Sequence, residues 1–122
     1  MSTDRPASRG RRAALDVDVR ALAAGRHLVT VAGDLDLRTA PRLAHALQPL
    51  LRTGGRTVLA DLSGVTFLDS TGLTCLIAAY RTARKTGARL ALIAPSPPVR
   101  NMLALTGVDQ VLPSYPTPDA AG

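Results

Sequence analysis

The sequence predicts an α/β domain: an N-terminal β-hairpin, then alternating helices and strands on a mixed, mostly parallel sheet. Three observations carry this. Leu15, Val17 and Val19 alternate with Asp16, Asp18 and Arg20, a period of two with one wet face. Beyond Gly33, apolar stripes at helical spacing alternate with short apolar runs, the order that builds parallel sheets through crossover helices. The chain has 122 residues, 46% of them hydrophobic, enough for one core and too few for two ordinary domains.

Each element has its own signal. Ala23-Ala24-Gly25 turns the first strand into a second at Leu28, Val29, Val31 and Ala32, giving the hairpin. Thr39 is an N-cap candidate, with Pro41 in the first turn after it. Leu43, Leu47, Leu50 and Leu51 then share one helical stripe, and Gly54-Gly55 stops the helix. Val58, Leu59 and Ala60 form a short strand expected to end at Asp61, followed by a loop around Gly64. Ser70 or Asp69 caps a long helix whose core side is Leu73, Leu76, Ile77 and Tyr80, and Gly87 ends it. Leu90, Leu92 and Ile93 are another buried strand. Ser96-Pro97-Pro98 opens a third helix with Val99, Met102 and Leu103, Gly107 closes it, and Val108, Val111 and Leu112 are expected to form the last strand.

The ends read differently from the middle. Residues 1–12 carry four arginines among Ser, Thr, Pro and Gly and are read as a disordered basic arm. The domain proper is 13–113, and the Pro-rich 114–122 is read as a loose C-terminal tail. Aromatic residues are only 2% (Phe67, Tyr80, Tyr115), so Leu, Val, Ile and Ala must build the core. No apolar run reaches ~18 residues without a charge, so no membrane-spanning helix is expected. No secretory core follows the basic start, and the one cysteine, Cys75, excludes an internal disulfide and a Cys-based zinc site. A reducing cytoplasm fits best. The net charge of +6 comes from 14 Arg and one Lys against nine Asp. The arginines are scattered and lack interleaved stacking aromatics, so direct nucleic-acid binding is not expected. With no strongly apolar exposed stripe, a monomer is expected.

Two polar segments should meet on one edge of the sheet, beyond the C-terminal strand ends where α/β sites collect. One is Gly33-Asp34-Leu35-Asp36; the other runs from Ser63 to Ser70. Asp69-Ser70-Thr71-Gly72-Leu73 places a hydroxyl at a helix N-terminus, where unpaired N–H groups and the helix dipole favour negative charge. A phosphate on Ser70 would be received there while Asp36 and Asp69 oppose it, altering the surface and sparing the core. The plainer reading is that Ser70 only caps the helix.

Phe67-Leu68-Asp69-Ser70-Thr71-Gly72-Leu73, preceded by Asp61-Leu62-Ser63-Gly64-Val65, resembles the signature of STAS domains, and within them of bacterial anti-sigma factor antagonists. Gly33-Asp34-Leu35-Asp36 with Thr39-Ala40-Pro41-Arg42-Leu43, and the stretch from Leu105 to Val111, resemble that family too. The resemblance covers 13–116. It implies a partner switch: Ser70 is phosphorylated by an anti-sigma factor with serine kinase activity and dephosphorylated by a PP2C-type phosphatase. Unphosphorylated, the chain would bind the anti-sigma factor and free a sigma factor. By motif match, Asp34, Asp36, Asp69, Ser70, Thr71, Gly72 and Leu73 fall on the partner surface, Asp36 lies near Ser70, and Thr71 is a secondary phosphosite. The alternative is an unphosphorylated STAS adaptor subunit of a transporter ATPase or larger signalling complex.

Enzymatic readings find no support. Ser70 lacks the Gly-x-Ser-x-Gly context of a nucleophile elbow, and Gly54-Gly55 lacks the P-loop pattern. His27 and His45 read as surface histidines and form no metal pair. Cys75 reads as a packing residue, and Asp61 ends a strand or caps the next loop. No catalytic residue, metal or cofactor is expected.

Overall fold

The structure is a computed structural model and describes residues 14–122. The basic arm read at 1–12 lies outside the described residues. Strand β1 (Asp16–Ala23) turns at Gly25, φ +74°, into β2 (Arg26–Leu35). Helix α1 (Ala40–Leu51), strand β3 (Thr57–Leu68), helix α2 (Ser70–Thr86), strand β4 (Arg89–Ile93) and helix α3 (Pro97–Thr106) follow in alternation. A 3-10 turn (Val108–Gln110), a two-residue strand β5 (Ser114–Tyr115) and a second 3-10 turn (Asp119–Ala121) complete it. The sheet order is β1-β2-β3-β4-β5. Only β1 against β2 is antiparallel; the other three pairs are parallel.

The core is aliphatic, as the scarcity of aromatics requires. Val29, Val31, Val58, Ala60, Leu62, Leu90 and Leu92 point from one sheet face into the helices. Leu43, Leu47 and Leu51 of α1 meet them at a spacing of four, one turn apart. From α2 come Leu73, Leu76, Ala79 and Ala83, and from α3 Val99 and Leu103. Ile77 and Tyr80, expected on the core side of α2, are only half-buried. Small alanines at 79 and 83 let α2 sit close and turn the longer pair toward its flank.

Three expectations are corrected. First, β2 and β3 are longer than their apolar runs. Gly33-Asp34 and the segment from Ser63 to Leu68 are strand, with register shifts that absorb Asp61-to-Gly64. Gly64 makes this possible: a Cβ there would lie 2.8 Å from the Ala32 Cβ. Second, Val108, Val111 and Leu112 are not the last strand. The Gly107 turn leads straight into the 3-10 turn, and pairing with β4 resumes at Ser114. Third, 114–122 is not loose. Ala121 is buried with Leu59, Ala91 and Ile93 on the sheet face away from the helices. Arg26 donates to Gly122 O, and Arg89 donates to Ala121 O at 2.6 Å.

Ala121→Asp should therefore lower the thermal midpoint by several degrees, because it buries a carboxylate against Leu59 and Ile93. Differential scanning calorimetry checks this; an unchanged midpoint would mean that the segment is not packed.

Candidate functional site

The site is built where β2 and β3 end side by side, with Asp34 paired to Phe67 and Leu35 to Leu68. Each strand then hands its chain to a helix. The parallel register puts the loop before α1 and the first turn of α2 at one level, as the sequence order implied.

The loop from Asp36 to Thr39 is closed on itself. Asp36 N donates to Thr39 Oγ1 at 3.0 Å, and Thr39 Oγ1 donates to the Asp34 carbonyl at 2.7 Å. Asp36 Oδ1 accepts from Arg38 N at 2.9 Å and from Thr39 N at 3.2 Å. Thr39 thus stands at the N-cap position of α1, yet its hydroxyl serves the loop and makes no cap hydrogen bond to the helix. A carboxylate only 4% exposed would be costly to bury unpaired, and these donors supply the compensation. Arg38 Nη2 adds an ion pair to Asp36 Oδ2 at 3.5 Å. Asp34 is tied across the strands, accepting from Thr66 Oγ1 at 2.8 Å.

The start of α2 decides between the two cap candidates. Asp69 is extended, and its Oδ1 accepts from Gly72 N at 2.9 Å, so Asp69 is the N-cap. Ser70 is the first helical residue, exposed, and its hydroxyl makes no hydrogen bond among the described residues. Gly72 is required by contact: a Cβ there would come within 2.6 Å of both Leu35 O and Leu68 Cδ1. Asp69 N donates to the same Leu35 O at 3.3 Å.

The motif residues therefore divide. Ser70 is exposed, Thr71, Asp69 and Asp34 are half-buried, and Asp36 and Asp69 wall one shallow cleft with Leu37, Arg38 and Phe67. Gly72 and Leu73, expected on the partner surface, face the interior; Leu73 belongs to the core. They shape the surface from beneath. The surface gains residues not singled out as site residues from the sequence: Leu37 is 72% exposed and Phe67 is 43% exposed. The signal for Leu37 is an apolar residue between Asp36 and Arg38 in a loop; for Phe67 it is an aromatic side chain two residues before Asp69.

Other polar candidates stand apart. His27, the second residue of β2, lies at the opposite strand end and is half-buried rather than on the surface, and His45 is exposed on α1. Among the described residues no group of three or more His, Cys, Asp or Glu could hold a metal ion. Cys75 is half-buried between α1 and α2, its thiol pointed at the Ala40 carbonyl, and burial pushes its pKa up. No helix among the described residues is long and apolar enough to cross a membrane.

Two outcomes follow from this geometry. Asp69→Ala should cost about 1 kcal/mol of stability in urea unfolding, whereas Ser70→Ala should cost little, because the cap belongs to Asp69. Cys75 should react with iodoacetamide more slowly than an exposed cysteine at pH 8, since its raised pKa leaves less thiolate, with the rate still climbing above pH 9.

The comparisons with known proteins agree with this architecture. The family model described as "Mlab, STAS domain" matches residues 20–113. An anti-sigma factor antagonist from Mycobacterium paratuberculosis, known from its crystal structure, is 34% identical with a TM-score of 0.77, over 88% of this chain and 91% of that one. An anti-sigma-B factor antagonist of Listeria monocytogenes is 30% identical over 84 residues, 69% of this chain and 74% of that protein. The anti-sigma factor antagonist SpoIIAA in its unphosphorylated form shares the fold at 19% identity, with a TM-score of 0.72 over 87% of this chain and 92% of that one. Strand order, closed acidic loop, helix start and these likenesses converge: the chain belongs to the STAS domain family and is similar to its anti-sigma factor antagonists.

Proposed function

We propose that the protein is an anti-sigma factor antagonist that works as a phosphorylation-controlled partner switch in the cytoplasm. Its partner is an anti-sigma factor with serine kinase activity, bound while Ser70 is unphosphorylated, so that a sigma factor is released. A PP2C-type phosphatase resets the switch. The chain itself is the phosphoacceptor and supplies no catalytic group. The observation that carries this reading is the division of labour at the start of α2. Asp69 does the capping, so the Ser70 hydroxyl is exposed and structurally idle. A serine needed as a cap could not be modified without loosening its helix; this one can.

The chemistry of the off state follows from charge. A phosphate adds about −1.5 to −2 charge at neutral pH. Asp36 and Asp69 line the adjoining cleft, beside exposed Leu37 and Phe67, which suit an apolar contact. A partner fitted to that surface would have to desolvate the new charge next to two carboxylates. Such a cost is large enough to dissolve a micromolar complex, whose whole binding free energy is about 8 kcal/mol. Asp34, Asp69, Ser70 and Thr71 form the contact, and buried Asp36, Gly72 and Leu73 support it from beneath.

Pulldowns with Ser70→Ala and Ser70→Asp baits, followed by calorimetric titration of the recovered anti-sigma factor, test the switch. Ser70→Ala should bind constitutively and Ser70→Asp at least about tenfold more weakly, about 1.4 kcal/mol. Equal affinities would dismiss the switch and leave a constitutive adaptor.

A further inference from the structure

The loop between β2 and α1 carries a cation that its own fold does not need. Asp36 Oδ1 is served by the backbone N–H groups of Arg38 and Thr39, and the Thr39 hydroxyl closes the turn. The Arg38 guanidinium adds only a long contact of 3.5 Å to Asp36 Oδ2, from a side chain 56% exposed. It lines the cleft walled by Asp36, Leu37, Phe67 and Asp69, and Ser70 is the next residue along the chain from that wall.

A phosphoryl group on Ser70 would stand beside a cleft walled by two carboxylates, Asp36 and Asp69, with Asp34 near the end of β2. Asp34 is engaged by Thr66 and Asp69 by Gly72 N. The exposed cations of α2 (Arg81, Arg84 and Lys85) lie three or more turns along that helix from Ser70, and Arg42 lies on the first turn of α1. Arg38 alone among them shares the cleft with Asp69.

We infer that Arg38 is the residue that receives a phosphate carried by Ser70, exchanging its loose contact with Asp36 for a two-pronged pair with the phosphate. This rests on the reading of Ser70 as phosphoacceptor. A guanidinium fork matches phosphate oxygens in two parallel hydrogen bonds, and a near-dianion outcompetes a monoanion held at 3.5 Å. Asp36 keeps its backbone donors, so the loop survives the exchange. The off state is then written into the protein's own surface: the cleft is closed by an internal ion pair, and Arg38 is withdrawn from any partner.

Phosphoserine installed at position 70 during translation makes the test independent of any kinase. Phosphorus NMR then follows the second ionisation of the phosphate with pH in the otherwise wild-type chain and in Arg38→Gln, Arg38→Lys and Arg42→Gln. An adjacent cation favours the dianion and lowers that pKa, so Arg38→Gln should raise it by about one pH unit. Arg38→Lys should restore part of the difference, and Arg42→Gln should leave it unchanged. Matching thermal midpoints confirm that the exposed substitutions leave the fold intact. Identical titrations with and without Arg38 overturn the inference, as does an equal effect from Arg42→Gln. The two readings fail separately. If Arg38 sets the titration while Ser70→Ala and Ser70→Asp bind partners alike, the switch falls and the phosphate contact stands. If binding responds to Ser70 and the titration ignores Arg38, the switch stands without it.

Discussion

One carbonyl organises the functional edge. Leu35 O ends β2, accepts from Asp69 N at 3.3 Å, and lies where a side chain on residue 72 would have to go. Through it the last pair of the β2–β3 ladder, Leu35 with Leu68, is clamped to the first turn of α2. The separation between the Asp36 loop and the Ser70 hydroxyl is therefore set by backbone contacts rather than by flexible side chains. Glycine at 72 is what permits the approach.

The electrostatics are arranged around that clamp. The chain is basic overall, at +6, yet its functional edge gathers Asp34, Asp36 and Asp69. Asp36 accepts a hydrogen bond from its own loop, Asp34 from the neighbouring strand β3, and Asp69 from the first turn of α2. Asp36 and Asp69 are held by local donors that are at least partly buried, which a change of salt would not easily displace, whereas the Asp34 bond to Thr66 is exposed. Arg26 and Arg89, by contrast, sit at the other ends of their strands and bind backbone carbonyls.

Much of this was legible in the chain itself, and the failures share a cause. The helix stripe Leu43-Leu47-Leu51 and the alternation of β1 depend on local periodicity, which survives folding. The run from Ser63 to Leu68 looked like a loop because Gly64 and the polar residues around it break the apolar pattern. It is strand because its backbone pairs with β2, a partner distant in sequence. The same holds at Ser114, Tyr115 and Ala121, which hold their places through β4 and the outer sheet face. At the site, the motif picks out Asp69 and Ser70, which stand together at the start of α2. Which of them caps, and which way Gly72 and Leu73 turn, depended on a dihedral angle and a packing distance that no spacing encodes.

The clasp between Arg26 and Gly122 has a practical side. It holds residue 122 at the N-terminal end of β2, whereas Ser70 follows the opposite end of the neighbouring strand. Ten residues of extended chain span about 30 Å. A surface linker, a fluorophore or a fused reporter attached at residue 122 would stand a full strand's length from Ser70, presenting that edge outward. The same cargo placed beside Leu37 would sit on the edge it was meant to report.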